Sequence, residues 1–441
     1  MTKKTLPFTA LYYNQALVPQ LADVVAPPYD VIDAALQQKL YDQSPYNFCR
    51  VDFSKEPPPE RYDISQNTWQ QWLANDIICR DTRPALYFHR HTFTLPDGST
   101  KTRQGFFAAR RLESLGAGSI KPHENTLDGP KEDRFSLMQA THTQLSPVFS
   151  LYSDPEDLLA QAIAGFLKTT PFMDFMTVEH ERHQLWKVRD MEAAAVVEKA
   201  LADKPLFIAD GHHRYETALR YQGEMHRVYP DLPDDAAANY GLMYFCNMQD
   251  AGLVILPIHR VLTTLGDFDV PQFIETLSHD FEVQRLAAHD LESINDILKQ
   301  SGPDQHSFVL VADKMQTAYL LSITKAKWLA SELAQTITPD LADLDVTVLH
   351  RLVFDRHLQI TDKIQAEKEI ITYCKSLDQM RAALTENPNA VAFMMNSTRL
   401  NQMETVAMAG HKMPQKSTFF YPKILSGLVM HAVGTEDKDG V

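Results

Sequence analysis

The run Pro205-Leu206-Phe207-Ile208-Ala209, ended abruptly by Asp210-Gly211-His212-His213-Arg214, constrains this chain more than any other stretch. A short apolar run bounded by turn formers predicts a buried strand. A helix has to start just beyond it, because Tyr215, Ala218 and Leu219 recur at i, i+3 and i+4 on one face. Between the two, glycine permits a tight turn and a close approach of backbone to ligand. The opening amides of a helix point past its end, so the junction suits an anion. Arg214 adds a planar fork matched to phosphate. His212 and His213 can donate hydrogen bonds or move protons near neutral pH. Asp210 can orient a histidine, hold Mg²⁺ or cap the helix. Adjacent histidines point in different directions and chelate poorly, so no protein cluster for a metal is expected.

Elsewhere strand and helix patterns alternate, which predicts a mixed α/β (α+β) fold. Ala85–Leu95 and Gln104–Ala109 flank Pro96-Asp97-Gly98-Ser99 and read as a β-hairpin. Pro147–Tyr152 and Gly241–Cys246 read as strands, the latter with a hairpin partner near Leu253–Leu256. Asn47–Val51 and Leu256–Arg260 each put an arginine beside a strand. Glu156–Ile163 and Asp345–Asp355 read as helices, Ser307–Val311, Thr317–Leu321 and Ala390–Met395 as strands, the last before a polar tail. A chain of 441 residues exceeds one ordinary core. The pattern change near residue 265 divides it into 1–265 and 266–441, with a tail, about 411–425, that returns to the site.

The net charge of −15 argues against general nucleic-acid binding, which needs a basic face. The longest apolar runs fall short of a bilayer span, and the N-terminus lacks a signal-peptide pattern, so a cytoplasmic protein without membrane contact is expected. Cys49, Cys79, Cys246 and Cys374 form no CxxC pair and are expected to be reduced thiols, mostly buried. The GxSxG, HExxH, GxGxxG and protein-kinase signatures are missing, which weakens the corresponding enzyme classes.

Two further constellations carry chemistry. The loop Ile120–Arg134 mixes His123, Glu124, Lys131 and Arg134 with Gly and Pro; Glu124 is its best general base, and Lys131 and Arg134 can meet phosphate oxygens. Near the end, Met413–Lys423 contains Lys416, Ser417, Thr418 and Lys423, an anion-binding set without the glycines of a Walker loop. His259 and Arg260 can add to a phosphate pocket, although a buried ion pair explains them as well.

Taken with Ala26–Ile32, these segments resemble, in order and over nearly the whole chain, the prokaryotic family catalogued as domain of unknown function 1015. The Asp-Gly-His-His-Arg core is also similar to the phosphate-binding segment of free-serine kinases on the ParB/sulfiredoxin-like fold. That resemblance implies a ParB/sulfiredoxin-like core elaborated by an N-terminal hairpin region and a C-terminal α/β domain. It implies Glu124 as base on a hydroxyl, with His123 beside it, and residues 210–214 as phosphate cradle.

The resulting expectation is a phosphotransferase acting on a small hydroxylated metabolite, with free L-serine as acceptor. His123, Glu124, Asp210 and His213 would be catalytic. Gly211, His212, Arg214, Lys131, Arg134, His259, Arg260, Lys416, Ser417, Thr418 and Lys423 would hold phosphate or nucleotide. ATP, ADP or pyrophosphate would be donor and Mg²⁺ would enter with it, with Asp210 as an optional ligand; a homodimer is allowed. A ParB-like nucleotide switch and a phosphate-ester hydrolase are the alternatives.

Overall fold

The apolar runs found in the sequence build two large sheets, one in each of two units. The computed structural model describes residues 3–434 except 117, 127, 264–267, 288–289, 362–363, 366–369 and 388. One unit comprises Met1–Pro122, Thr126–Val254 and Pro422–Val441, the other His123–Asn125 and Ile255–Tyr421. The expected boundary near 265 lies outside the described residues; the units part between Val254 and Ile255. Leu127, inside the second constellation, is also outside them.

The first unit is organised by a nine-stranded sheet. Its path runs Ile120–Lys121, Leu206–Asp210, Val148–Tyr152, Tyr240–Asn247, Thr100–Arg111, Leu86–Thr94, Arg182–Val188 and Met173–Met176, with Thr5–Leu6 beside Thr100–Arg111. The hairpin closes as its turn residues predict, from Tyr87 opposite Phe107 to Thr94 opposite Thr100. Leu206–Asp210 pairs parallel with Ile120–Lys121 and antiparallel with Val148–Tyr152. Leu206, Phe207 and Ile208 are fully buried. The next helix, His212–Val228, turns Tyr215, Ala218, Tyr221 and Met225 into the same core as Leu206, Ile208, Phe106 and Phe245. Full burial of a large apolar side chain stabilises by roughly 1.5–3 kcal/mol, so this face pins the helix to the strand that feeds it.

Some local expectations change. Tyr240–Asn247 has both edges occupied, by Val148–Tyr152 and Thr100–Arg111, so Val254–Leu256 is not its hairpin partner and lies in a separate two-stranded ribbon. The expected strand at Asn47–Val51 is instead the short helix Cys49–Asp52. Asn47 accepts the Cys49 amide at 3.0 Å and donates to the Asp23 carbonyl at 2.9 Å, a local bonding pattern that competes with a strand ladder.

The second unit carries an antiparallel six-stranded sheet, ordered Glu282–Arg285, Thr317–Thr324, Gln305–Ala312, Val391–Met395, His259–Leu262 and Ile371–Cys374. Val309, Val311 and Met394 meet Leu291, Ile294, Leu298, Met380 and Leu384 from the helices Leu291–Lys299 and Leu377–Glu386 in one core. The helix expected over Asp345–Asp355 begins as α over Asp345–Val348 and widens to a π-helix over Leu349–His357. Beyond Met395 the chain is not a polar tail. It forms the helix Leu400–Met408, burying Met403, Val406 and Ala407, and the strand Phe419–Tyr421.

Among the described residues no helix is long and apolar enough to cross a membrane. Cys49, Cys246 and Cys374 are buried thiols and Cys79 is half-buried. The large sheet leaves no room at Gly105, where a methyl group would stand 2.4 Å from the Tyr244 ring and 2.5 Å from the Phe245 carbonyl oxygen. Gly105→Ala should therefore destabilise the protein by about 2 kcal/mol, the usual cost of overpacking. Urea unfolding would show it as a lower midpoint, and an unchanged midpoint would contradict this packing.

Candidate functional site

The strand Leu206–Asp210 loses its regular register between Ile208 and Asp210, an irregularity of the kind that re-aims a side chain at a strand end. Gly211 follows with φ +89°, and the helix starts at His212. A residue with a Cβ is doubly unsuited at 211. The backbone is left-handed, and an added methyl would lie 2.8 Å from the Arg214 Nε and 2.9 Å from its Cζ. The sequence thus brings Asp210, Gly211 and the helix start together as expected.

Both oxygens of Asp210 are engaged. Arg214 Nη2 donates to Oδ2 at 2.6 Å, and Lys423 Nζ donates to Oδ1 at 2.5 Å. Burial alone would raise the Asp210 carboxyl, but Lys423, Arg214 and then His212 hold it far below the usual carboxylate range. Counting these three groups alone, one carboxylate against two cations leaves one formal positive charge. The helix N-terminus adds about half a charge more. Such a junction has the chemistry that suits an anion. Arg214 is less open to a ligand than its chemistry suggested: Nη1 donates to the Pro147 carbonyl, so the fork braces the turn. Asp210, expected as a catalytic group or Mg²⁺ ligand, is held as the centre of the clamp. His212 is buried and His213 half-buried at the helix start.

Arg134 is not a phosphate ligand. It is 6% exposed, donates to the Asp52 carbonyl and carboxylate at 2.9 and 3.0 Å, and meets Asp133 Oδ2 through Nε and Nη2. Its guanidinium also lies 4.0 Å from the centroid of the Tyr29 ring. Burial pushes the Asp52 carboxyl up, while Arg134 and Arg214 pull it back. Ser426 and Ser146 hydroxyls donate to Asp52 Oδ2 at 3.3 and 3.4 Å. A hollow of about 40 Å³ is bounded by Tyr29, Asp52, Arg134, Ser146 and Arg214. Sequence reasoning had named Arg134, Arg214 and the Ala26–Ile32 turn that holds Tyr29, but missed Asp52 and Ser426. Lys131 is paired with Asp128 at 3.0 Å and Glu216 at 3.3 Å, and Thr126 donates to the same Glu216 at 2.8 Å. Lys131 is therefore committed to acids of its own unit.

In the second unit, His123 holds the Met413–Thr418 loop. Its carbonyl accepts the Met413 amide at 2.9 Å and its Nε2 lies 3.0 Å from Thr418 Oγ1. Ser417 donates to the Pro414 carbonyl at 2.5 Å and accepts from Thr398 Oγ1 at 2.7 Å through its own carbonyl. Arg260 is buried and donates to the Lys416 carbonyl at 2.8 Å and to the Ile258 carbonyl. Burial lowers its guanidinium to about 10. His259 is lowered to about 4, by burial first and Arg260 second, and its Nδ1 accepts the Met395 amide at 3.2 Å. His259, Arg260, Ser417 and Thr418 thus fix a loop and are not a phosphate pocket. Lys416 is exposed and has φ +56°. Glu124 is half-buried in the short segment His123–Asn125.

Among the described residues one cluster could hold a metal, contrary to expectation. His91 Nε2 lies 2.8 Å from Glu181 Oε2, His183 Nε2 3.8 Å from it, and their ligand atoms fall within 4.8 Å of one another. His89 and His91 share one face of a strand, which was a legible signal. Arg103 Nη2, however, lies 3.3 Å from His91 Nδ1. A donor there makes Nδ1 the acceptor, leaving the proton on Nε2 for Glu181. Arg103 also supplies the positive charge that an ion would bring. Burial raises Glu181 to about 7, partly offset by Arg103. The network is best read as an internal one.

A family model described as Protein of unknown function (DUF1015) matches residues 5–347. Among curated proteins none matches the sequence. Similar solved structures include a free serine kinase in complex with AMP, at 12% identity, covering 68% of this chain and 83% of that one, with a TM-score of 0.33. A conserved hypothetical protein from Pyrococcus furiosus has 12% identity, coverage of 69% and 89%, and a TM-score of 0.31. SbnI with a C-terminal truncation, from Staphylococcus aureus, has 10% identity, coverage of 73% and 85%, and a TM-score of 0.32. Overlaps this slight carry no assignment of activity.

The clamp fixes a pH dependence. A carboxyl depressed in the fold stabilises it fully above its unfolded value, near 4, and loses that contribution as pH falls toward the lower folded value. The stability gap between wild type and Asp210→Asn should be flat above roughly pH 5 and shrink below about pH 4. Urea titrations across pH would measure it; a gap independent of pH down to about 2 would contradict the clamp.

Proposed function

The chain belongs to the family described as Protein of unknown function (DUF1015), and from that footing we propose a phosphotransferase acting on a small hydroxylated metabolite, with free L-serine as the acceptor. The observation that carries this reading is the net positive strand-to-helix junction at Asp210–Arg214, with Lys423 bound to Asp210. Phosphoryl transfer asks a protein mainly for positioning and for fixed positive charge around the transferred group. A helix start with a surplus cation supplies both, and His213 is the side chain there whose type suits proton donation.

In this reading the backbone of residues 211–213 receives the phosphoryl group and Lys423, held by Asp210, maintains the charge. Glu124 is assigned the removal of the acceptor's hydroxyl proton, on its residue type and the resemblance stated above. Its carboxyl needs only one water or hydroxyl within hydrogen-bond reach to act. Mg²⁺ fits through phosphate oxygens. Asp210 is a poor ligand for it, since both its oxygens already accept from cations. When bound with the donor, Mg²⁺ would neutralise charge on the phosphate chain.

The test supplies purified protein with Mg²⁺, L-serine and ATP, ADP or pyrophosphate in turn, and assays O-phosphoserine. Transfer from at least one donor is expected, and Glu124→Gln should lower kcat by at least about a hundredfold while donor binding persists. Activity that survives Glu124→Gln removes Glu124 from the base role. Donor hydrolysis without any phosphoserine would make the protein a phosphate-ester hydrolase instead. Ligand-dependent dimer closure without transfer would favour a nucleotide switch.

A further inference from the structure

Successive residues of a strand point to opposite faces of its sheet. In the first unit Phe88, Phe106 and Trp186 turn into the apolar core, so His89, His91 and His183 turn to the other face, where all three are buried. Their rings stack. The centroids of His91 and His183 lie 4.1 Å apart, and those of His89 and His183 5.2 Å apart with planes inclined by 8°. Phe175, across the ladder from His183, stacks on it at 5.2 Å. His89 Nε2 and His183 Nδ1 are 3.0 Å apart, so one donates and the other accepts. His91 Nδ1 accepts from Arg103 Nη2 at 3.3 Å. This bonding is that of neutral rings, because a proton on an accepting nitrogen ends its bond.

The surroundings oppose a charge on any of the three. Among the described residues, the titratable groups that act on the stack or on Arg103 are Glu181 in the turn before Arg182–Val188, Tyr244 and Cys246 from Tyr240–Asn247, and Asp250 beyond it. Burial pushes the Tyr244 phenol and the Cys246 thiol up, so both stay neutral. The Asp250 carboxylate accepts the Gln104 and Gly252 amides. A protonated ring would therefore be a second buried cation beside Arg103. Burial first, with Arg103 adding to it in each case, holds all three rings well below the usual imidazole range. Such rings stabilise the fold fully above their unfolded value, near 6.5, and lose that contribution as the pH falls. Glu181 acts in the opposite direction. Burial raises it to about 7, so the fold keeps a proton that the unfolded carboxyl releases above roughly 4.3. Three rings taking up protons outweigh one carboxyl giving one back, and opening is favoured by mild acid.

The topology says which part opens. Met173–Met176 ends the sheet and, among the described residues, pairs with Arg182–Leu185 alone. Glu181 and His183 belong to this terminal hairpin, and His89 and His91 to the strand it rests on. We propose that the stack is an acid-sensitive latch: protons reaching His89, His91 and His183 free the hairpin Met173–Leu185 from Leu86–Thr94, while the strand and helix that flank residue 211 stay folded. The latch belongs to the first unit's sheet and does not depend on the transfer reaction.

Hydrogen exchange of the full chain, read as protection factors at about pH 7.5, 6.5 and 5.5, tests this. Protection of the hairpin should fall at least about tenfold between the last two, the effect of one net proton taken up on opening. Protection of 206–228 should hold over the same range. Glu181→Gln keeps an acceptor for His91 but removes the opposing titration, and should steepen the fall by about tenfold per pH unit. His89→Phe keeps a flat ring and removes one titrating site, and should flatten it by a similar factor. Hairpin protection that stays constant across these pH values overturns the proposal. So does an equal loss over 206–228, or a pH dependence that both variants share unchanged with the wild type.

Discussion

The Asp210 carboxylate, held between Arg214 and Lys423, is the interaction on which the first unit's site depends. It closes a strand whose preceding residues are fully buried, where an unpaired charge would be expensive. One cation comes from the helix that the strand feeds, and the other from 213 residues further along the chain. The pair neutralises the acid and leaves a surplus of positive charge at a helix start. The same arrangement requires glycine at 211, since Arg214 folds back over that position. A fold that has to ionise Asp210 therefore also gathers cations at a helix start.

The rest of the first unit can be understood as support for that clamp. The strand is held on both edges, the helix buries an apolar face, and Asp52 with Arg134 borders the small hollow beside Arg214. Asp52 and Arg134 form a buried pair whose value lies in geometry. Pairs of this kind contribute little net stability, yet removing either partner strands the other. The hydroxyl of Ser426 bonds Asp52 only three residues beyond Lys423, so the returning C-terminal segment is tied to the unit at two points.

Much of this was legible in the sequence. The strand, turn and helix around 210 were readable because apolar periodicity and a glycine mark them locally, and the hairpin because its turn chemistry is explicit. Lys423 was readable as one member of an anion-binding set, though nothing local says that it meets Asp210. Arg134, His259 and Arg260 were misread because residue type cannot reveal a buried counter-group: Asp52 is 82 residues from Arg134, and Arg260 spends its donors on carbonyls. Asp52 itself sits in a four-residue helix that propensity rendered as a strand edge. Of the His91–Glu181–His183 cluster only the shared strand face of His89 and His91 was readable, since strand pairing brings the other members in.

The central claim is electrostatic, that the junction binds phosphate through the charge left over when Asp210 is neutralised. The most direct measurement is the calorimetric affinity for pyrophosphate of the wild type, Lys423→Met and Asp210→Asn. Removing Lys423 should weaken binding about tenfold, the effect of losing one charged contact. Asp210→Asn, which removes the negative charge, should bind at least as tightly as the wild type. Lys423→Met binding as well as the wild type, with the fold intact by circular dichroism, would contradict the account.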